Sequence, residues 1–133
     1  GHSEYHYKHE PILFGWKQGG ERLKNDDRTK TTVWDFDKPS ANREHPTMKP
    51  VSMWAYGIGN HSKTGDVVFE PFTGGGTTMV ASDQLDRKCY GMELDPKYCD
   101  VIVKRMVKLN PSLTIKRNGE DVTDFWKEKA AQI

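Results

Sequence analysis

The run Val67-Val68-Phe69-Glu70-Pro71-Phe72-Thr73-Gly74-Gly75-Gly76-Thr77-Thr78 constrains this chain more than any other. An apolar strand of the buried type ends in an acid and a Pro-Phe corner. Three glycines then turn the chain, and two hydroxyl residues open a helix. This layout gathers backbone N–H groups, a helix N-terminus and a carboxylate around one small space, which suits a ligand with a positive and a negative end. A site for bare phosphate would not normally aim a carboxylate into its own pocket.

The elements around this run read as α/β. A helix starts at Pro50, with Val51, Trp54, Ala55 and Ile58 on one face and Gly57, Gly59 and Asn60 closing it. Strand 67–70 leads through the glycines into a helix over Thr77 to Leu85, and a second strand follows at 88–94. Asp95-Pro96 starts a helix with an apolar stripe of Tyr98, Cys99, Ile102, Val103, Met106 and Val107, and Asn110-Pro111 stops it. Leu113-Thr114-Ile115 reads as a third strand and 121–131 as a final helix. Strand, helix, strand, helix, strand predicts a right-handed βαβαβ half, part of a doubly wound, Rossmann-like parallel sheet.

The N-terminal third reads differently. Gly1-His2-Ser3 looks like the remnant of an expression tag. Residues 4–17 are aromatic-rich and predict one or two short strands around Pro11. Residues 18–45 predict a mobile loop, in which Lys24, Arg28, Lys30 and Arg43 are available to DNA phosphates and Trp34 to stacking. Acidic residues are interleaved with them, so a solvated loop competes with that reading. The expected division is therefore a single domain over 4–133, with strands at 4–17, a loop at 18–45 and the ligand-binding core at 46–133.

Bulk composition adds limits. A chain of 133 residues with 35% hydrophobic content and a mean hydropathy of −0.82 is small and polar for a self-contained α/β enzyme. Part of its surface is expected to meet a partner or further polypeptide. Net charge is +1, which by itself demands no nucleic acid. Cys89 and Cys99 have no metal-like spacing, so no metal site is expected and both are read as reduced, buried thiols of a cytoplasmic protein. No apolar run approaches membrane-spanning length and no signal peptide is read.

Three ligand classes use a glycine turn between strand and helix. A phosphate-gripping loop needs a lysine after its last glycine, and none follows Gly76. A dinucleotide fold needs a third glycine where Met79 stands. An S-adenosylmethionine pocket fits better, since its glycines let the backbone approach the amino-acid end and an acid before the turn faces the ammonium. A second acid, at the end of the next strand, should grip the ribose. Glu93 stands there, roughly 20 residues past the glycines, as adenosine-binding α/β folds require. Taken singly, Glu70 reads equally well as a helix-capping or solvated acid and Glu93 as an exposed strand end. Their joint spacing favours the pocket.

Upstream lies His45-Pro46-Thr47-Met48-Lys49-Pro50. Alone it is a Pro-bounded turn with a solvated lysine. Followed by Glu-Pro-Phe-Thr-Gly-Gly-Gly-Thr-Thr at 70–78 and Gly91-Met92-Glu93, it resembles the amino-DNA methyltransferases that modify adenine N6 or cytosine N4. Tyr7, His9-Glu10 and Lys17, and then Asp95-Pro96, Tyr98 and Arg105, extend the resemblance over nearly the whole chain. The resemblance implies S-adenosyl-L-methionine as cofactor and double-stranded DNA as the partner of the full-length enzyme, in a bacterial or phage restriction-modification system. It implies that Thr47 and Lys49 lie at the methionine carboxylate, that Glu70 and the turn with Gly74, Gly76, Thr77 and Thr78 hold the methionine moiety, that Glu93 holds the ribose, and that His45 and Phe72 also belong to the cofactor site. One departure is Glu70, where the family usually has aspartate.

The family's catalytic loop, Asp, Asn or Ser followed by Pro-Pro and an aromatic, does not occur in this chain. Such a loop must accept hydrogen bonds from the flipped base and stack on it. Asp95-Pro96-Lys97-Tyr98 comes near, but Lys97 breaks the Pro-Pro turn and the segment follows the ribose acid. The order of motifs matches the permuted arrangement, with the catalytic half first. The chain is thus expected to be the C-terminal, cofactor-binding portion of a methyltransferase, inactive alone, whose catalytic half is missing or sits on a partner chain. Homo-oligomer formation stays open. The competing readings are a non-catalytic assembly module, a fragment of an RNA or small-molecule methyltransferase, and a nicotinamide-dependent oxidoreductase half, against which Met79 and the Lys49 motif count.

Overall fold

The structure, a computed structural model, describes residues 4–37 and 49–132. The strand before the glycines forms as β1 (Val67–Glu70), and its partner as β2 (Lys88–Gly91). They pair in parallel, Val67 beside Lys88 and Glu70 beside Gly91. A parallel pair needs a crossover, and α2 (Thr77–Gln84) supplies it. β2 ends short of the expected 88–94: Met92 N–H still bonds the Glu70 carbonyl at 2.9 Å, after which the chain turns into the next helix.

That helix is α3 (Pro96–Leu109), capped as its sequence requires: the Asp95 carboxylate accepts from Lys97 N–H at 2.9 Å and Pro96 takes the first turn. Upstream, α1 (Val51–His61) lies against α2, with Val51, Ala55 and Ile58 half-buried and Trp54 at the solvent margin. Arg87 fastens the end of α1 to the start of β2, its guanidinium bonding the Ser62 hydroxyl at 3.0 Å and carbonyl at 2.8 Å. Buried Val80, Ala81 and Ile102 form the interior beside the glycine turn.

Four expectations are corrected. Residues 4–17 form no strand; Tyr5, Tyr7 and Leu13 are 82–98% exposed, and an extended segment without a partner edge gains no ladder hydrogen bonds. The third parallel strand at 113–115 is also absent. Ile115 N–H bonds the Thr123 hydroxyl at 2.8 Å and its carbonyl accepts from Val122 N–H at 2.8 Å, so the segment is held by the next helix and not by the sheet. An antiparallel hairpin follows, β3 (Lys116–Arg117) against β4 (Glu120–Asp121). Its turn is Asn118-Gly119 with positive φ at both (52° and 85°), the strongest short hairpin signal a sequence carries. The last helix, α4 (Thr123–Ala131), begins two residues later than expected. Finally, Cys89 is half-buried and Cys99 exposed, because the first turn of α3 faces solvent except at Tyr98.

The architecture is therefore mixed α/β, with a two-stranded parallel pair and a C-terminal hairpin among the described residues. One face of the parallel pair is covered: a Cβ placed on Gly91 would meet Met79 of α2 and Thr73. On the other face Val67, Phe69, Tyr90 and Met92 are 60–63% exposed. Parallel strands are ordinarily covered on both faces. Among the described residues no helix is long and apolar enough to cross a membrane.

Candidate functional site

Because β1 and β2 run parallel and in register, their C-terminal ends deliver Glu70 and Glu93 to the same edge of the sheet. Between them lies the glycine turn, where Gly74 (φ 54°) and Gly76 (φ 80°) adopt left-handed backbone that side-chain-bearing residues rarely reach.

Both acids are engaged with that turn. Glu70 Oε1 accepts from Phe72 N–H at 2.8 Å, and Oε2 accepts from the Thr78 hydroxyl at 3.0 Å. Glu93 Oε2 accepts from Gly74 N–H at 2.7 Å and Oε1 from Asp95 N–H at 2.9 Å. The two carboxylates thus bracket the turn, one from each strand. Charge-assisted bonds of this kind are about twice as strong as neutral ones, so the bracket is a rigid one.

Buried hydroxyls brace it from within. The Thr73 hydroxyl spans both strand ends, meeting the Met92 carbonyl at 2.8 Å and the Glu70 carbonyl at 3.2 Å, while Thr73 N–H donates to Met92 carbonyl at 3.0 Å. Thr73, Thr77 and Thr78 are all buried, yet each hydroxyl has a partner. Beneath the sheet, burial pushes the Cys89 thiol up, against the lowering effect of the Ser82 hydroxyl and helped by the Glu70 charge.

Of the residues singled out from sequence, Glu70, Phe72, Gly74, Gly76, Thr77, Thr78 and Glu93 therefore come together at one turn. Phe72 projects outward, 88% exposed. Lys49 stands at the start of α1 and pairs with Glu10 of the N-terminal segment. His45, Thr47 and Arg43 lie outside the described residues. Lys24 and Arg28 are exposed. Lys30 is held against α1, bonding Asn60 at 2.5 Å and pairing with Asp27 at 4.0 Å. Trp34 packs edge-on against Tyr56 of α1 at 4.8 Å, so its ring is half-buried there and not displayed for stacking.

Two participants went unmarked in the sequence reading. Thr73 had a signal, a hydroxyl residue directly after a strand that ends in Pro-Phe. Glu10 as the partner of Lys49 had none, since 39 residues separate them. A depression of about 460 Å³ lies between residues 112–114 and the start of α4, and none of the site residues lines it.

Chemically, the site presents two anionic groups beside backbone amides and a helix N-terminus. Such a donor and acceptor set accommodates a zwitterion with vicinal hydroxyls. Among the described residues no group of three His, Cys, Asp or Glu side chains is placed to hold a metal.

Comparison with known proteins points the same way. A family model described as DNA methylase, for N6/N4 methyltransferases, matches residues 2–104. The type II methyltransferase M.SmaI of Serratia marcescens is 30% identical over 105 residues, 79% of this chain and 35% of that protein. M.Cfr9I of Citrobacter freundii, also a type II methyltransferase, is 35% identical over 104 residues, 77% of this chain and 32% of its own. The crystal structure of an M1.HpyAVI–SAM complex superposes with a TM-score of 0.55 at 26% identity, covering 65% of this chain and 44% of that one. The chain spans about a third of the length of these curated relatives.

Proposed function

The chain belongs to the N6/N4 DNA methylase family, and from that premise we propose that it is the S-adenosylmethionine-binding portion of a DNA methyltransferase. The reaction of the whole enzyme transfers a methyl group to the exocyclic amine of adenine (N6) or cytosine (N4). The observation that carries this reading is the bracket itself: at the ends of adjacent parallel strands, Glu93 is bonded to Gly74 within the glycine turn and Glu70 to Phe72 and Thr78 on either side of it.

Each group has a distinct task in this reading. Glu70 meets the ammonium of the methionine moiety, and its bond to Thr78 fixes the carboxylate's plane. Glu93 accepts the ribose hydroxyls; a carboxylate has about four acceptor positions, so its bond to Gly74 N–H is compatible with that role. Gly74, Gly76, Thr77 and Phe72 line the turn against the methionine chain. His45, Thr47 and Lys49 serve the carboxylate end, which makes Glu10 a placeholder that the ligand's carboxylate displaces from Lys49. When bound, the cofactor supplies an electrophilic sulfonium methyl. This chain's share of the chemistry is to bind and orient.

Base recognition and catalysis belong, in this proposal, to a Pro-Pro-aromatic loop carried by other polypeptide, in the permuted order with the catalytic half preceding residues 46–133. Two observations support that division. The relatives are about three times as long as the matched stretch. The open apolar face of Val67, Phe69, Tyr90 and Met92 is the kind of surface that a further layer of the same sheet covers. DNA contacts through Lys24, Arg28 and Arg43, a cytoplasmic location and a lack of turnover by the isolated chain belong to the same proposal.

Calorimetry with S-adenosylhomocysteine tests it. Saturable binding is expected, weakened by about 1.5–3 kcal/mol in Glu93→Ala, the usual scale for charge-assisted bonds. No heat from the wild-type chain, or an unchanged dissociation constant in the variant, overturns the assignment.

A further inference from the structure

The glycine turn is gripped from below as well as bracketed from the sides. Ile102 and Arg105 lie three residues apart on α3 and so share a face. Ile102, 7% exposed, sits directly under Gly76, where a Cβ would come within 3.2 Å of two of its side-chain carbons. Arg105 reaches the residues on either side: its guanidinium Nη1 donates to the Gly75 carbonyl at 2.7 Å and to the Thr77 hydroxyl at 3.2 Å. Three consecutive residues of the turn are thus seated on one face of one helix, and Gly75, Gly76 and Thr77 are all buried.

A run of three glycines has a wide choice of backbone conformations and loses much freedom on ordering. Since a peptide unit is planar, holding the Gly75 carbonyl also fixes the Gly75–Gly76 plane. A guanidinium is suited to this, being permanently charged with several donors in a rigid fork. Arg105 lies one residue beyond the stretch shared with the family model.

Resting on the cofactor reading above, we propose that Arg105 is the positioning residue of the glycine turn. It holds the 75–77 backbone in its ligand-ready shape before the ligand arrives, so that binding need not order it. It touches the turn and not the ligand, and its effect on binding passes through what the turn contacts.

The test uses the whole chain as wild type, Arg105→Ala and Arg105→Lys, with two readouts. The first is hydrogen exchange without ligand. Amides of 74–78 should exchange about tenfold faster in Arg105→Ala, the scale of a lost charged hydrogen bond, while α4 keeps its protection. The second compares S-adenosylhomocysteine with adenosine, which lacks the part of the ligand that meets the turn. The alanine variant should lose about tenfold or more for the former and stay within about twofold for the latter, and Arg105→Lys should recover part of the loss. Unchanged exchange at 74–78 overturns the proposal, as does equal loss for both ligands or equal loss of protection in α4, either of which marks a merely structural arginine. A wild-type chain that binds neither ligand sinks the cofactor reading, while the exchange result still judges whether Arg105 holds the turn.

Discussion

The two faces of α3 meet differently built surroundings. At the glycine turn buried hydroxyls share the interior with Val80, Ala81 and Ile102: Thr73, Thr77, Thr78 and Ser82 are buried, and the three threonine hydroxyls bond to backbone, carboxylate or guanidinium. On the other face the interior is apolar, with Val107, Trp126 and Ala130 packed together and Val103, Ile115 and Val122 around them. Hydrogen bonds weaken steeply when misaligned, whereas apolar burial is non-directional. The first region is accordingly organised for geometry and the second for stability. One helix serves both, presenting Ile102 and Arg105 to the turn and Val103 and Val107 to the apolar cluster.

The comparison can be broken most directly at Trp126. Trp126→Ala should cost about 3–5 kcal/mol, the range for deleting a large buried aromatic, measured by urea unfolding. Exchange protection should fall in α4 and the hairpin while amides 74–78 hold theirs; equal losses in both regions would show that the two faces of α3 belong to one cooperative unit. Gly91→Ala strikes the region of the glycine turn. Its Cβ would clash with Met79 Cε, which can swing aside, and lie 2.5 Å from Thr73 Oγ1, which is tied to two carbonyls. Overpacking of this kind should cost about 1–3 kcal/mol and shift the Thr73 and Glu93 amide resonances; a wild-type spectrum would contradict the bracing role given to Thr73.

Thr78→Val sharpens the contrast. It keeps the shape and removes the hydroxyl that bonds Glu70, so stability should drop by about 1 kcal/mol. The fractional loss in S-adenosylhomocysteine affinity should exceed it, since a polar region set for geometry suffers first in binding. The smallest expected effect is beside the apolar cluster. Hydrogen bonds from the Thr123 side chain and backbone hold the exposed Asp121 carboxyl below its ordinary value of 3.8. A carboxyl depressed on folding adds stability above its unfolded pKa, and that contribution is lost as pH falls through the folded value. The first turn of α4 should therefore be intact at neutral pH and fray only as pH drops below 3.8, with Asp121→Asn flattening the acid limb of a circular-dichroism titration.

Residues 67–109 were legible from sequence because their information is local. A run of β-formers, a glycine break and an Asp-Pro cap each act within a few residues, and they yielded β1, α2, β2 and α3 with shifts only at the ends. The Asn118-Gly119 hairpin was equally local and equally readable, but the apolar triplet 113–115 drew the strand assignment away from it. Residues 4–17 show the converse: their composition favours strand, but a strand exists only through a neighbour, and no neighbour's edge is stated in a segment's own sequence. The same limit hid the pairing of Lys49 with Glu10 across 39 residues and that of Arg105 with Gly75 across 30.

What the residues alone determined was the order of the elements over 67–109 and the presence of two acids at the right spacing around a glycine turn, since backbone preference and side-chain period are short-range properties. What only the tertiary structure decided was the partnership: parallel register brings Glu70 and Glu93 to one edge, and α3 folds back to seat the turn between them. Register and packing arise from surfaces that meet only when distant segments close on each other, and there the bracket acquires its shape.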